Sequence, residues 1–154
     1  MSNARDRELY ELMCAALDER SWKYKRHDEE CFIEYGMNGE DIPMSFLMSV
    51  HNGAVQNYSV IPAAMDEEHR VDGAVVVAFV NNLLPDGCFD YDLQTGRISF
   101  RLCYPIMDAL PGKELFYHVI DLAGWAVDRY NDSFLMLAKG LISLNDFIKK
   151  YSEQ

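Results

Sequence analysis

Cys88-Phe89-Asp90-Tyr91-Asp92-Leu93-Gln94-Thr95-Gly96-Arg97-Ile98-Ser99-Phe100-Arg101-Leu102-Cys103-Tyr104 is the stretch on which the fold class turns. Two alternating runs flank Leu93-Gln94-Thr95-Gly96, and Gly96 can take the left-handed conformation that closes a four-residue hairpin turn. The register that pairs like with like sets Tyr91 opposite Ile98, Phe89 opposite Phe100, and Asp92 opposite Arg97. One face is then apolar, and the other carries Asp90, Asp92, Arg97, Ser99 and Arg101. A slip of one residue would set aromatics against polar partners.

Working outward, helical and strand periods alternate along the chain. Leu9, Leu12, Met13, Ala16 and Leu17 fall on one helical face and predict a first helix over 4–20, with Asn3 as its cap and Asp6 in the capping-box position. A short segment, Trp22 to Arg26, reads as an edge strand. Cys31, Ile33, Tyr35 and Met37 alternate with polar or small residues, as do Met44, Phe46, Met48 and Val50. His51-Asn52-Gly53 is a hairpin turn leading to a strand from Ala54 that should stop at Pro62. A second helix follows, capped by Asp66, because the apolar segment around Val76, Phe79, Val80 and Leu83 is too long for an ordinary strand. After the hairpin, Phe116, Ile120, Ala123, Val127 and Tyr130 share one face of a long helix, with a break expected at Asn131-Asp132. Ser143 to Asp146 is a capping box for a last helix. The expectation is a single α+β domain over 1–154 in the order α-β(3-4)-α-β-β-α-α. An antiparallel sheet carries helices packed against it, and residues from about 141 to 154 form a C-terminal helical extension.

A chain of 154 residues buries roughly 70% of its unfolded surface and needs neither disulfide nor metal to fold. Its formal net charge is −11, which opposes contact with nucleic-acid phosphates and anionic lipid. Trp22-Lys23-Tyr24-Lys25-Arg26-His27 is the local exception. It suits base stacking in principle, but lysines on an edge strand that discourage pairing explain it better. The most apolar run, Gly73 to Val80, is far shorter than the ~20 residues that span a bilayer. No export signal precedes the first helix, and Cys14, Cys31, Cys88 and Cys103 form no CxxC pair. Reduced thiols and a cytoplasmic location are therefore expected.

No phosphate-binding loop, nucleophile elbow or HExxH motif is present, and no cofactor is expected. Cys88 falls opposite Arg101 in the hairpin register, where a guanidinium would lower its pKa; a small residue packed under a loop is the plainer reading. Glu114, His118 and Asp121 lie at i, i+4 and i+7, a spacing that would align three metal ligands, although such a stripe is usually the solvated side of a helix. His27-Asp28-Glu29-Glu30 reads as a hydrated acidic loop. Met37, Met44, Met48 and Met65 serve either an adaptable surface or an irregular core, the latter being favoured.

Val80-Asn81-Asn82-Leu83-Leu84, Gly87-Cys88-Phe89-Asp90-Tyr91-Asp92, Gly96-Arg97-Ile98-Ser99-Phe100-Arg101, and Asp128-Arg129-Tyr130 with Gly140 together resemble the YbjN family. The likeness extends from about Leu9 to Gly140 in short pieces. It implies a fold similar to type III secretion chaperones, a role in regulation or sensory transduction, and no catalytic residues. The helix around Leu144 to Tyr151 departs from the chaperone pattern and would cover a surface that chaperones use. The expected function is a non-enzymatic protein-interaction module with a protein partner and a possible homodimeric state. It would bind neither nucleic acid nor membrane, and would use a sheet edge or a groove between sheet and helices. Trp22 and Tyr24 are the candidate partner-binding residues. The alternative is a small-molecule or metal-binding sensor.

Overall fold

The structure, a computed structural model, describes residues 3–153; Met1, Ser2 and Gln154 of the expected 1–154 span lie outside the described residues. Its elements run α1 (Ala4–Glu19), β1 (Tyr24–His27), β2 (Phe32–Asn38), β3 (Pro43–His51), β4 (Ala54–Ala64), α2 (Arg70–Asn81), β5 (Cys88–Tyr91), β6 (Arg97–Pro105), α3 (Glu114–Ala138) and α4 (Leu144–Ser152). The six strands form one antiparallel sheet in the order β1-β2-β3-β4-β6-β5. The α+β class and the element order are those read from the sequence.

The β5–β6 hairpin takes the expected register, with Phe89 opposite Phe100 and Tyr91 opposite Ile98. The Asp92 N–H donates to the Arg97 carbonyl at 2.9 Å. Asn52 and Gly53 both have positive φ, 50° and 72°, the geometry of a two-residue hairpin turn whose twist matches its strands. Three boundaries differ. β4 runs through Pro62 to Ala64, because the ladder to β6 shifts register between Val60 and Ala64, and an irregular pair spares the proline a missing donor. Asp66 does not cap α2. Its Oδ1 accepts from the N–H and Nδ1 of His69 in the turn before the helix. α3 continues unbroken through Asn131-Asp132, because Asn131, Ser133 and Phe134 are all buried there and packing overrides the local signal.

All four helices lie on one side of the sheet. α1 rests on β3 and α3, α3 crosses β3, β4 and β6, and α2 covers β5. α4 packs on α2 and α3. Its Phe147 and Tyr151 are buried among Phe89, Tyr130 and Phe134, so the C-terminal extension is part of the core. Met48 and Met65 are fully buried and Met44 nearly so, the core role favoured for the methionines.

Candidate functional site

Since the helices share one side, the other face of the sheet is left uncovered. Strand pairing aligns Lys25, Glu34, Leu47, Tyr58, Arg101 and Cys88 in a row across all six strands. The row is apolar at its middle. Leu47 and Tyr58 are 36% and 40% exposed, and Val60, one pleat further along β4, is 59% exposed. Gly36 and Ser45 stand beside them with almost no side chain, leaving a shallow groove of about 780 Å³ lined also by Lys23, Lys25 and Glu34.

β4 supplies the cause. Its pattern is inverted at the centre of the sheet: Asn57 and Ser59 point inward, while Tyr58 and Val60 point outward. Each inward polar side chain makes one hydrogen bond, although Asn57 Oδ1 is left without a partner among the described residues. Asn57 Nδ2 donates to the Tyr35 hydroxyl at 2.6 Å, and Ser59 Oγ donates to the Ser45 carbonyl at 2.8 Å. That inversion places two large apolar side chains where solvent is. Sequence reading passed over Leu47, Tyr58 and Val60, although an apolar residue in the outward phase of a well-patterned strand was the available signal.

Charge is arranged at both ends of this strip. Arg101 is held by Asp90 through Nε at 2.8 Å and Nη2 at 3.1 Å, and this guanidinium keeps the Asp90 carboxyl below its usual range. Glu34 meets His27 at 3.0 Å, and His27 stacks on Phe32. Asp92 is engaged by Thr95 and Gln94 in the hairpin turn. Among the described residues, Lys23, Lys25 and Arg97 form no ion pair, and neither does Asp92 beside Arg97, so the face carries unpaired charges of both signs with the cations in excess. The chain as a whole carries −11.

The residues singled out from the sequence fall elsewhere. Tyr24 points to the helix side, where its hydroxyl donates to Asp18 at 2.8 Å and to the Cys14 carbonyl at 3.2 Å. Trp22 is half-buried, edge-on to Tyr35 at 5.9 Å. Glu114, His118 and Asp121 are exposed along α3, and Asp121 accepts from Arg20 at 3.2 Å. Among the described residues no three His, Cys, Asp or Glu side chains gather as metal ligands, and the stripe lies on the exposed side of α3, the plainer of its two readings. Cys88 does meet Arg101 at 3.5 Å, yet its pKa is raised: burial, followed by the Asp90 charge, outweighs the guanidinium. That is the opposite of an activated thiolate. The space between sheet and helices, expected to offer a groove, is filled by core side chains.

The β5 edge is closed and the β1 edge is open. Asn81 of α2 binds both backbone groups of Phe89, whereas β1, four residues long, has no partner strand on its outer side among the described residues. No helix among the described residues is long and apolar enough to cross a membrane.

These features define a class: a one-sided antiparallel sheet backed by four helices, with an apolar strip between charged ends on its bare face. Compared by structure, the chain is similar to YbjN from E. coli, whose crystal structure describes that protein as "a putative transcription regulator". The TM-score is 0.59 at 9% sequence identity, over 80% of this chain and 92% of that one. The fold is YbjN-like, and identity this low speaks to the fold alone. Compared by sequence, the chain matches no family model and no curated protein.

Proposed function

We propose that this chain is a non-enzymatic protein-interaction module with a regulatory role, and that its docking surface is the uncovered sheet face. The observation that carries this reading is the exposed strip of Leu47, Tyr58 and Val60, flanked by Lys23 and Lys25 at one end and Arg97 at the other. The regulatory description of YbjN is compatible with it. Apolar area at the centre with charge at the rim is the ordinary anatomy of a protein interface. Lys25 on β1 and Arg97 on β6 stand four inter-strand spacings apart across the sheet, about 19 Å, and four residues apart along the strands, about 13 Å, so about 23 Å in all. An extended segment spans that distance with about seven residues. The partner is therefore a polypeptide segment with carboxylates at both ends and apolar side chains between.

The test uses labelled peptides with Asp at both ends of a Leu/Val centre, and controls with Lys in place of Asp, followed by fluorescence anisotropy. Saturable binding of the acidic peptide that weakens with salt and drops at least about tenfold in a Tyr58→Ser/Val60→Ser variant supports the reading. Equal binding of both peptides, or none, removes it. Both substitutions are at exposed positions, and an unchanged melting temperature shows that the fold is intact. If light scattering shows a dimer of the 17.7 kDa chain that the same variant dissociates, the face belongs to a second copy instead.

A further inference from the structure

The two tryptophans of this chain are 103 residues apart in sequence, yet both line one small hollow. The hollow lies on the helix side of the sheet and measures about 300 Å³. Trp22, Trp125, Met37, Met44, Asp121 and Asp128 contribute to its wall. Specific backbone features build it. Ser21 takes a positive φ of 56°, turning the chain out of α1, and the Trp22 N–H donates back to the Leu17 carbonyl at 3.0 Å. Gly124 of α3 has no side chain, and a Cβ there would stand 2.6 Å from Met37 Sδ; the glycine is what lets Met37 lie across the helix. Trp125 is 44% exposed.

The wall has a consistent chemistry. It offers two indoles, two thioethers and two carboxylates, with no lysine or arginine among its lining residues. Asp121 is partly satisfied by Arg20 from outside the hollow, and Asp128 Oδ1 accepts from the Glu40 N–H at 2.8 Å. Asp128 and Trp125 also border the neighbouring cleft, which holds Glu40 and Asp41 together with Arg129 and Lys150, and the Arg129 guanidinium already lies 5.7 Å from the centre of the Trp125 ring. Indole faces attract cations through their quadrupole, and carboxylates add direct charge. An anion would meet two carboxylates here, and a neutral apolar group would gain nothing from their charge.

We propose that the hollow between Trp22 and Trp125 is a binding site for an alkylammonium group, either that of a free amine or that of a lysine side chain. The volume suits such a group with its methyl or methylene envelope. The site is separate from the bare sheet face and does not depend on the role proposed for that face.

Because both tryptophans line the site, intrinsic fluorescence reads occupancy directly. The probes are choline, its neutral isostere 3,3-dimethylbutan-1-ol, and acetyl-Gly-Lys-Gly-amide with and without trimethylation of the lysine. The expected result is a saturable fluorescence change with at least one cationic probe, at least about tenfold stronger than with the neutral alcohol. Asp128→Asn keeps an oxygen for the Glu40 N–H and should abolish the preference for charge. Trp125→Phe, at an exposed position, should weaken binding while Trp22 still reports. A response to choline alone assigns the site to a free amine, and a response to the peptides alone assigns it to a polypeptide. The proposal is overturned by no saturable change up to about 100 mM of any cation, by equal response to the neutral alcohol, or by an unaltered response in Asp128→Asn.

Discussion

Asn81 in α2 pairs with Phe89 in β5 as a neighbouring strand would: its Oδ1 accepts from the Phe89 N–H at 2.7 Å, and its Nδ2 donates to the Phe89 carbonyl at 2.9 Å. One side chain therefore closes the middle of an edge that would otherwise offer unpaired groups to another chain. Replacing Asn81 with Leu removes both bonds while keeping the helix former. Stability should fall by about 1–3 kcal/mol, with concentration-dependent light scattering on mild heating. Denaturant melts and scattering at two concentrations measure both effects.

Asp6 ties the start of α1 to the β3–β4 hairpin. Its carboxylate accepts from the N–H groups of Asn52 at 3.1 Å and Gly53 at 2.8 Å, and the residue is 1% exposed. Asp6→Ala leaves two donors without a partner at a buried turn and should cost about 1–3 kcal/mol. Glu8, in the same helix and exposed, serves as a control whose replacement by Ala changes stability by less than about 0.5 kcal/mol. Chemical denaturation distinguishes the two.

Phe147 tests whether α4 is a core element. It is fully buried, stacked against Phe134 at 5.5 Å. Phe147→Ala should destabilise the whole domain by about 3–5 kcal/mol in one cooperative transition. A detachable extension would instead lose only its own helical signal, seen as a small drop in ellipticity with an unchanged main transition.

The His69–Asp66 pair predicts a pH window. Hydrogen bonding to Asp66 raises the His69 pKa above 6.5, and bonding to His69, first through its backbone N–H, lowers that of Asp66 below 3.8. A raised histidine stabilises fully below its unfolded value and loses that contribution as pH climbs through the folded one. A depressed carboxylate stabilises above its unfolded value and loses the contribution as pH falls. The difference in melting temperature between the native chain and His69→Gln should therefore be largest between about pH 4 and 6.5, and should shrink on either side. Melting curves across pH 3 to 9 give the profile.

The sequence carried the fold through positions where local chemistry and tertiary structure agree. Ser143 and Asp146 form the capping box as spaced, with Asp146 N–H donating to Ser143 Oγ at 3.1 Å. The hairpin register followed from matching faces. Asn131-Asp132 misled because a polar pair looks like a break, and only burial by distant residues carries the helix through it. Asp6 was expected to complete a capping box. The Asn3 half exists, with the Asp6 N–H donating to Asn3 Oδ1 at 2.8 Å, but the carboxylate reaches residues 46 and 47 positions away. The bare face was hidden for a different reason. In β3 the alternation marks Leu47 as outward, but in β4 the inward Asn57 and Ser59 blur the alternation, so the outward phase of Tyr58 and Val60 cannot be named from that strand alone.

The central pairing of β4 with β6 sets the order in which this molecule can assemble. The β1–β4 meander joins only sequence neighbours, but the inner edge of β4 must wait until α2 and β5 have been passed before its partner exists. α3, which lies across both strands, comes later still. Until then the inward Met44, Phe46, Met48 and Val55 have no helix α3 over them. The slow step of folding should therefore be the docking of the second half onto a preformed first half, with its rate governed by the loop that β4 and β6 close.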